Sequence, residues 1–106
     1  MDSKTQSILT ELRRRLEAIY GDRLVRLVLY GSRARGDADP ESDYDVLVAL
    51  RAPVSPSEEI EKTINDVTEI SLNNNISVAC VFISEGSYIR EQSPLMINVR
   101  REGIKI

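Results

Sequence analysis

Two features of this chain are of the types and spacing that do chemistry: a glycine-serine pair at Gly31-Ser32 and, after ten intervening residues, the aspartates Asp43 and Asp45. A glycine at a bend lets backbone or ligand come close. A serine hydroxyl with neighbouring backbone N–H groups can hold phosphate oxygens, and Arg33 and Arg35 stand where they could add charge-assisted bonds to the same oxygens. Side chains alternate along a strand, so Asp43 and Asp45 are expected on one face and Tyr44 on the other. Carboxylates that close repel, and a site that keeps both ionised usually supplies a divalent cation. Magnesium suits the pair, being commonly bound by one or two carboxylates with phosphate oxygens and water. A phosphate cradle beside a metal site implies nucleotide phosphoryl chemistry. The plainer alternative makes Asp43 and Asp45 a polar strand start with Arg33 and Arg35 as surface ion-pair partners, worth little in stability.

The elements that must position these residues can be read in order. Ile8, Leu9, Leu12, Leu16 and Ile19 recur at helical spacing and predict a helix from Ser3 to Tyr20, with Ser3 and Gln6 as a capping box and Gly21 as the stop. Its Arg13-Arg14-Arg15 run spreads over a wide arc and reads as a solvated face. Leu24 to Tyr30 is apolar on both alternating faces except at Arg26, as in a largely buried strand. Ser32 to Arg35 can form a short helical turn, Gly36 to Ser42 a loop broken by Pro40, and Asp43 opens a second strand running through Leu50. Ser55, Pro56 and Glu58 mark the start of a helix whose buried stripe is expected to be Ile60, Ile64, Val67 and Leu72, ending at Asn73-Asn74-Asn75. A third strand is expected from Ile76 to Ile83, then a short helix or loop to Gln92. A helical turn follows from Ser93-Pro94 through Arg101, with Ile104 to Ile106 as a terminal strand or apolar tail. This order implies an α+β fold, a small mixed sheet with flanking helices.

Composition narrows the chemistry. At 106 residues the chain is expected to be one domain, residues 1–106, so a second module would come from elsewhere. A formal charge of −3 argues against a broad nucleic-acid surface. No apolar run approaches the ~20 residues of a membrane span and the N-terminus lacks a signal-peptide core, so a cytoplasmic location is the expectation. The single cysteine, Cys80, lies in an apolar run and reads as a core residue. The absence of histidine removes Ser-His-Asp and Cys-His mechanisms, leaving carboxylates and metal ions to carry any catalysis.

Competing motifs fail on particular residues. Gly31 to Gly36 has the two glycines of a Walker A loop, but Asp37-Ala38 stands where Lys and Ser/Thr should follow. The acidic run from Asp37 to Asp43 has Ser42 at the sixth position, where a calcium loop needs glycine, and Pro40 at the fourth. Arg35-Gly36-Asp37 and Asn75-Ile76-Ser77 would matter only in an extracellular protein.

The pattern G-S-x10-D-x-D, embedded in L-V-L-Y-G-S-R-A-R-G-D-A-D-P-E-S-D-Y-D-V-L-V, resembles the signature of the polymerase-β-type nucleotidyltransferase superfamily. In so short a chain it is most similar to the minimal nucleotidyltransferases, the MNT or MntA-like proteins, often paired with a HEPN-domain toxin. The resemblance implies transfer of a nucleoside monophosphate from ATP or another triphosphate with release of pyrophosphate. It implies that Gly31 and Ser32 hold the β/γ-phosphates. It also implies that Asp43 and Asp45 bind two magnesium ions in the full mechanism. Active members usually carry a third carboxylate on a later strand. The matching strand here has no acidic residue: Ser77 or Ala79 would occupy the place, and Glu69 and Glu85 merely flank it. Without that group, nucleotide and one metal can still bind while transfer is slow or lost.

Three functions follow as expectations. The first is a magnesium-dependent transferase modifying a hydroxyl on a separately encoded protein, which the resemblance suggests is a HEPN toxin tyrosine; this chain would then be an antitoxin. The second is a binding module that occludes its partner and retains the nucleotide site as a relic. The third, a detached subunit acting on a small molecule such as an aminoglycoside, has no specific support in the sequence. A homo-oligomer is compatible with each.

Overall fold

Four strands form a mixed sheet in the order β3-β2-β1-β4. The computed structural model describes residues 1–39 and 41–106; the expectation that Pro40 breaks the loop falls outside the described residues. In chain order the elements are α1 (Ser3–Tyr20), a 3-10 turn (Gly21–Arg23), β1 (Leu24–Tyr30), α2 (Ser32–Arg35), β2 (Tyr44–Leu50), α3 (Pro56–Asn74), β3 (Val78–Ser84), α4 (Glu85–Arg90), α5 (Pro94–Glu102) and β4 (Ile104–Lys105). β1 runs antiparallel to β2 and β4, whereas β2 and β3 are parallel and joined by the crossover helix α3. The α+β expectation therefore holds, with the carboxyl end of β1 and the amino end of β2 brought to the same end of the sheet.

Alternation along the strands divides the core into two layers. Leu27, Leu29, Tyr44, Val46, Val48 and Leu50 face α1 and α3, meeting Ile8, Leu9, Leu12, Leu16 and Ile70. The opposite face buries Val28 and Leu47 under Met96 and Val99 of α5, with Tyr30, Val81, Ile83 and Tyr88 partly covered. β2 is buried along nearly its whole length because both layers close on it, which makes it a rigid rail for Asp45 near its start.

Several local expectations need correction. The α1 cap is Asp2, not Ser3: its carboxylate accepts the Thr5 N–H at 2.7 Å, one residue upstream of the expected box. Ser55 begins α3 without a side-chain cap bond. Arg15 is not part of a solvated face. Its side chain is only 16% exposed and donates to Glu11 and, across to α3, to Asp66 and Glu69.

The largest correction concerns the buried face of α3. Ile60 and Ile64 are each 47% exposed and Leu72 is 76% exposed, while Glu59, Thr63 and Ile70 face inward. The rotation follows from the neighbours. The Tyr20 hydroxyl donates to Glu59 at 3.0 Å, Arg23 and Lys62 lie beside the same carboxylate, and Arg15 takes Asp66 and Glu69. Thr63 returns its hydroxyl to the Glu59 carbonyl at 2.9 Å, so it is buried without an unpaired polar atom. Burial pushes Glu59 up, but the Tyr20 hydroxyl, Lys62 and Arg23 outweigh that and leave its pKa lowered. Ile60 and Ile64 lie instead along a shallow groove with Val67, Val78, Cys80 and Phe82.

Candidate nucleotide-binding and metal site

The site grows from the junction of β1 with β2. Tyr30, the last residue of β1, pairs with Asp45. Gly31 then turns the chain with φ 76°, a region that favours glycine, and a Cβ built there would fall 2.5 Å from Asp45 Oδ2. The backbone of the turn and the carboxylate thus share a space that only a residue without a side chain leaves open. Ser32 begins α2 directly, and the Gly31 carbonyl accepts the N–H groups of Ala34 and Arg35 at 3.0 and 3.1 Å.

Asp43 lies just before β2 rather than in it, and is exposed. Tyr44 points the other way, into the α1 layer, where its hydroxyl meets Thr5 Oγ1 at 3.0 Å. Asp45 is raised from the ordinary carboxylate range first by partial burial and then by the charge of Asp43, with Arg35 pulling the other way. The Tyr30 phenol is raised by burial and by Asp45. Two carboxylates that feel each other, one partly desolvated, are a donor set whose repulsion a divalent cation relieves, and oxygen-only donors suit magnesium.

The two arginines differ. Arg33 donates through Nε and Nη2 to the Ser42 carbonyl at 3.2 and 2.9 Å, and its guanidinium lies 4.3 Å from the Tyr44 ring centroid. It therefore ties α2 to the segment leading into Asp43. Arg35 is exposed, donates to Asp37 and Glu102 at 3.2 Å each, and is near enough for its charge to act on Asp45. Gly31, Ser32, Asp43 and Asp45 gather at one end of the sheet with Arg35 beside them. Glu102, reaching Arg35 from α5, has no signal in the linear sequence because the contact spans 67 residues.

On the other side of β2 the parallel register sets Ala79 beside Asp45, and the Ser77 carbonyl accepts the Tyr44 N–H at 2.9 Å. Ala79 is exposed and offers no oxygen. Glu69 is committed to Arg15, and Glu85 lies beyond Ser84 at the far end of β3, about 20 Å along the strand direction at ~3.3 Å per residue. Among the described residues no group of three or more His, Cys, Asp or Glu gathers as a metal site. Burial pushes the Cys80 thiol up to about 12, and the side chain is partly buried against the α1–α3 layer of the core. Among the described residues no helix is long and apolar enough to cross a membrane.

The chain is similar to known proteins over most of its length. Residues 9–101 match the family described as "Nucleotidyltransferase domain". A curated relative from Methanocaldococcus jannaschii, named "Putative protein adenylyltransferase MJ0141", is 36% identical over 72 residues, covering 68% of this chain and 72% of that protein. A solved structure described as a "putative minimal nucleotidyltransferase" superposes with a TM-score of 0.60 at 27% identity, covering 100% of this chain and 97% of the other. A toxin-antitoxin structure with AMP-PNP superposes with a TM-score of 0.64 at 18% identity, covering 91% of this chain and 69% of that one, a likeness of fold. The chain belongs to the nucleotidyltransferase domain family. Within it, the chain is an MNT-like nucleotidyltransferase.

Proposed function

We propose that this domain transfers AMP from ATP to a hydroxyl group on a separately encoded protein. The observation that carries the reading is the placing of the Asp43-Asp45 pair against the Gly31-Ser32 turn. In this reading the turn and Arg35 hold the β/γ-phosphates and set the α-phosphorus beside Asp43 and Asp45. The acceptor oxygen attacks the α-phosphorus in line, the bond to the bridging oxygen of pyrophosphate breaks, and the acceptor proton passes to solvent or to a group on the acceptor. Asp43 and Asp45 would hold magnesium, whose chemistry there is to neutralise charge on the attacking and leaving oxygens. Arg33 keeps the Asp43 segment docked on α2 while this happens. The chain is expected to act in the cytoplasm.

The protein acceptor is supported by the relative named for protein adenylylation and by the likeness of fold to toxin-antitoxin complexes described as MntA-HpeT. A HEPN-type toxin encoded next to this chain is the partner we expect, which makes this chain the antitoxin. Incubation with labelled ATP, magnesium and the product of the neighbouring gene tests it: label should pass to that product, and Asp43→Asn should abolish transfer. Equal labelling by Asp43→Asn, or none by the unaltered protein, removes the enzymatic claim.

One observation favours a second reading, a module that acts by binding its partner. Ala79 stands beside Asp45 where active relatives are expected to carry a carboxylate. Neutralisation of the partner that survives Asp43→Asn with Asp45→Asn would establish that reading.

A further inference from the structure

Arg35 is the last residue of a one-turn helix that buries none of its residues, so packing does not aim its side chain. Two carboxylates do: Asp37 takes Nε and Glu102 takes Nη1, each at 3.2 Å. These anchors are unequal. Asp37 lies in an exposed loop with its side chain 61% exposed, whereas the Glu102 side chain is 23% exposed. Glu102 also ends α5 directly before Gly103. A Cβ on Gly103 would fall 2.4 Å from both Val28 Cγ1 and the Val99 carbonyl oxygen, so the backbone is pressed onto β1. β4 follows at once and pairs with Val28 and Leu29. Glu102 is thereby fixed to the strand that leads into Gly31. Among the described residues Nη2 of Arg35 makes no hydrogen bond, and the Arg35 charge acts on Asp45.

We propose that Glu102 is a positioning residue for nucleotide binding, holding Arg35 where it meets the phosphate tail. The inference rests on the reading of Gly31, Ser32 and Arg35 as the phosphate cradle. Arginine can give separate edges of its planar fork to carboxylate and phosphate, so the pair with Glu102 and a bond to phosphate are compatible. Loss of the anchor lets Arg35 swing toward solvent and adds its ordering to the cost of binding.

Titration of the full chain with AMP-PNP and magnesium by calorimetry tests this, with thermal unfolding of each variant to establish that it is folded. Glu102→Ala is expected to weaken AMP-PNP binding about tenfold. Glu102→Gln, which keeps an oxygen for Arg35, should stay within about threefold of the unaltered protein, and Asp37→Ala should change little. In an Arg35→Ala background, adding Glu102→Ala should have no further effect, which a merely structural role would not produce. Unchanged or tighter binding by Glu102→Ala overturns the inference, because the carboxylate would then be sequestering Arg35 or idle. A loss that persists without Arg35 overturns it too. If Glu102→Ala does not fold, Glu102→Ser takes its place: a loss of AMP-PNP binding that disappears in the Arg35→Ala background supports the inference, and unchanged binding, or a loss that persists without Arg35, overturns it. Failure of the unaltered protein to bind AMP-PNP removes the cradle reading itself.

Discussion

Ala79 lies beside Asp45 in the parallel pairing of β2 with β3, with its side chain exposed at an edge of the sheet. Strand pairing thus offers a seat next to the carboxylates proposed to hold magnesium, and that seat holds only a methyl group. In the proposed transfer an aspartate there would supply a base for the acceptor hydroxyl, an effect typically worth about 10²-fold or more. Ala79→Asp is therefore expected to raise the rate of label transfer at saturating ATP and magnesium by at least about tenfold, and to lower stability without metal because a third carboxylate repels Asp45 and Asp43. A rate that does not rise, in a protein that Asp45→Asn inactivates, would place the proton acceptor on the partner.

Asp45 carries a cost in the metal-free protein that can be measured. Burial and Asp43 raise its folded pKa above the unfolded value of 3.8. A carboxylate with a raised folded pKa favours the native state below its unfolded pKa, and that contribution is lost as the pH rises through the folded value. At neutral pH the ionised Asp45 is a liability, so Asp45→Asn should raise the thermal midpoint at pH 7 without metal. The gain should vanish below pH 3.8. Magnesium with ATP should stabilise only the unaltered protein and narrow the difference. At limiting magnesium the acid limb of the transfer rate should lie above the ordinary carboxylate range, because protons compete with the metal for the same oxygens, and raising magnesium should move that limb to lower pH.

Gly31 is constrained twice, by φ 76° and by the 2.5 Å approach of a Cβ to Asp45 Oδ2. Gly31→Ala should cost about 1–3 kcal/mol in urea unfolding from backbone strain and displacement of Asp45. It should also weaken AMP-PNP binding more than Ser32→Ala does. Intact binding by Gly31→Ala would mean that the turn does not approach the phosphates.

What the linear chain made visible was local. The apolar run into Gly31-Ser32, the strand that carries Asp45 and the stop at Gly21 are each written within a few residues and stand where the pattern puts them, whereas Asp43 falls just before the strand it was expected to open. The rotation of α3 was not visible because it depends on Tyr20, Arg23 and Arg15, which reach Glu59, Asp66 and Glu69 across 36 to 54 residues. Apolar periodicity alone selected Ile60, Ile64 and Leu72, but buried polar partners turned Glu59 and Thr63 inward instead. Glu102 was missed for the same reason, since its partner lies 67 residues away.

The rotation makes its own prediction about where the stability of α3 resides. Ile70 is 1% exposed, in the layer shared with α1 and β2, whereas Ile64 is 47% exposed beside the groove on β3. Truncating a buried isoleucine loses transfer energy and leaves a cavity, so Ile70→Ala should cost about 2–5 kcal/mol. Ile64→Ala should cost roughly 1 kcal/mol or less because much of its surface is already in water. Urea unfolding of the two variants, with equal m values, measures the difference directly. Equal losses would mean that Ile64 is buried in solution and that α3 sits with the face its apolar periodicity predicts.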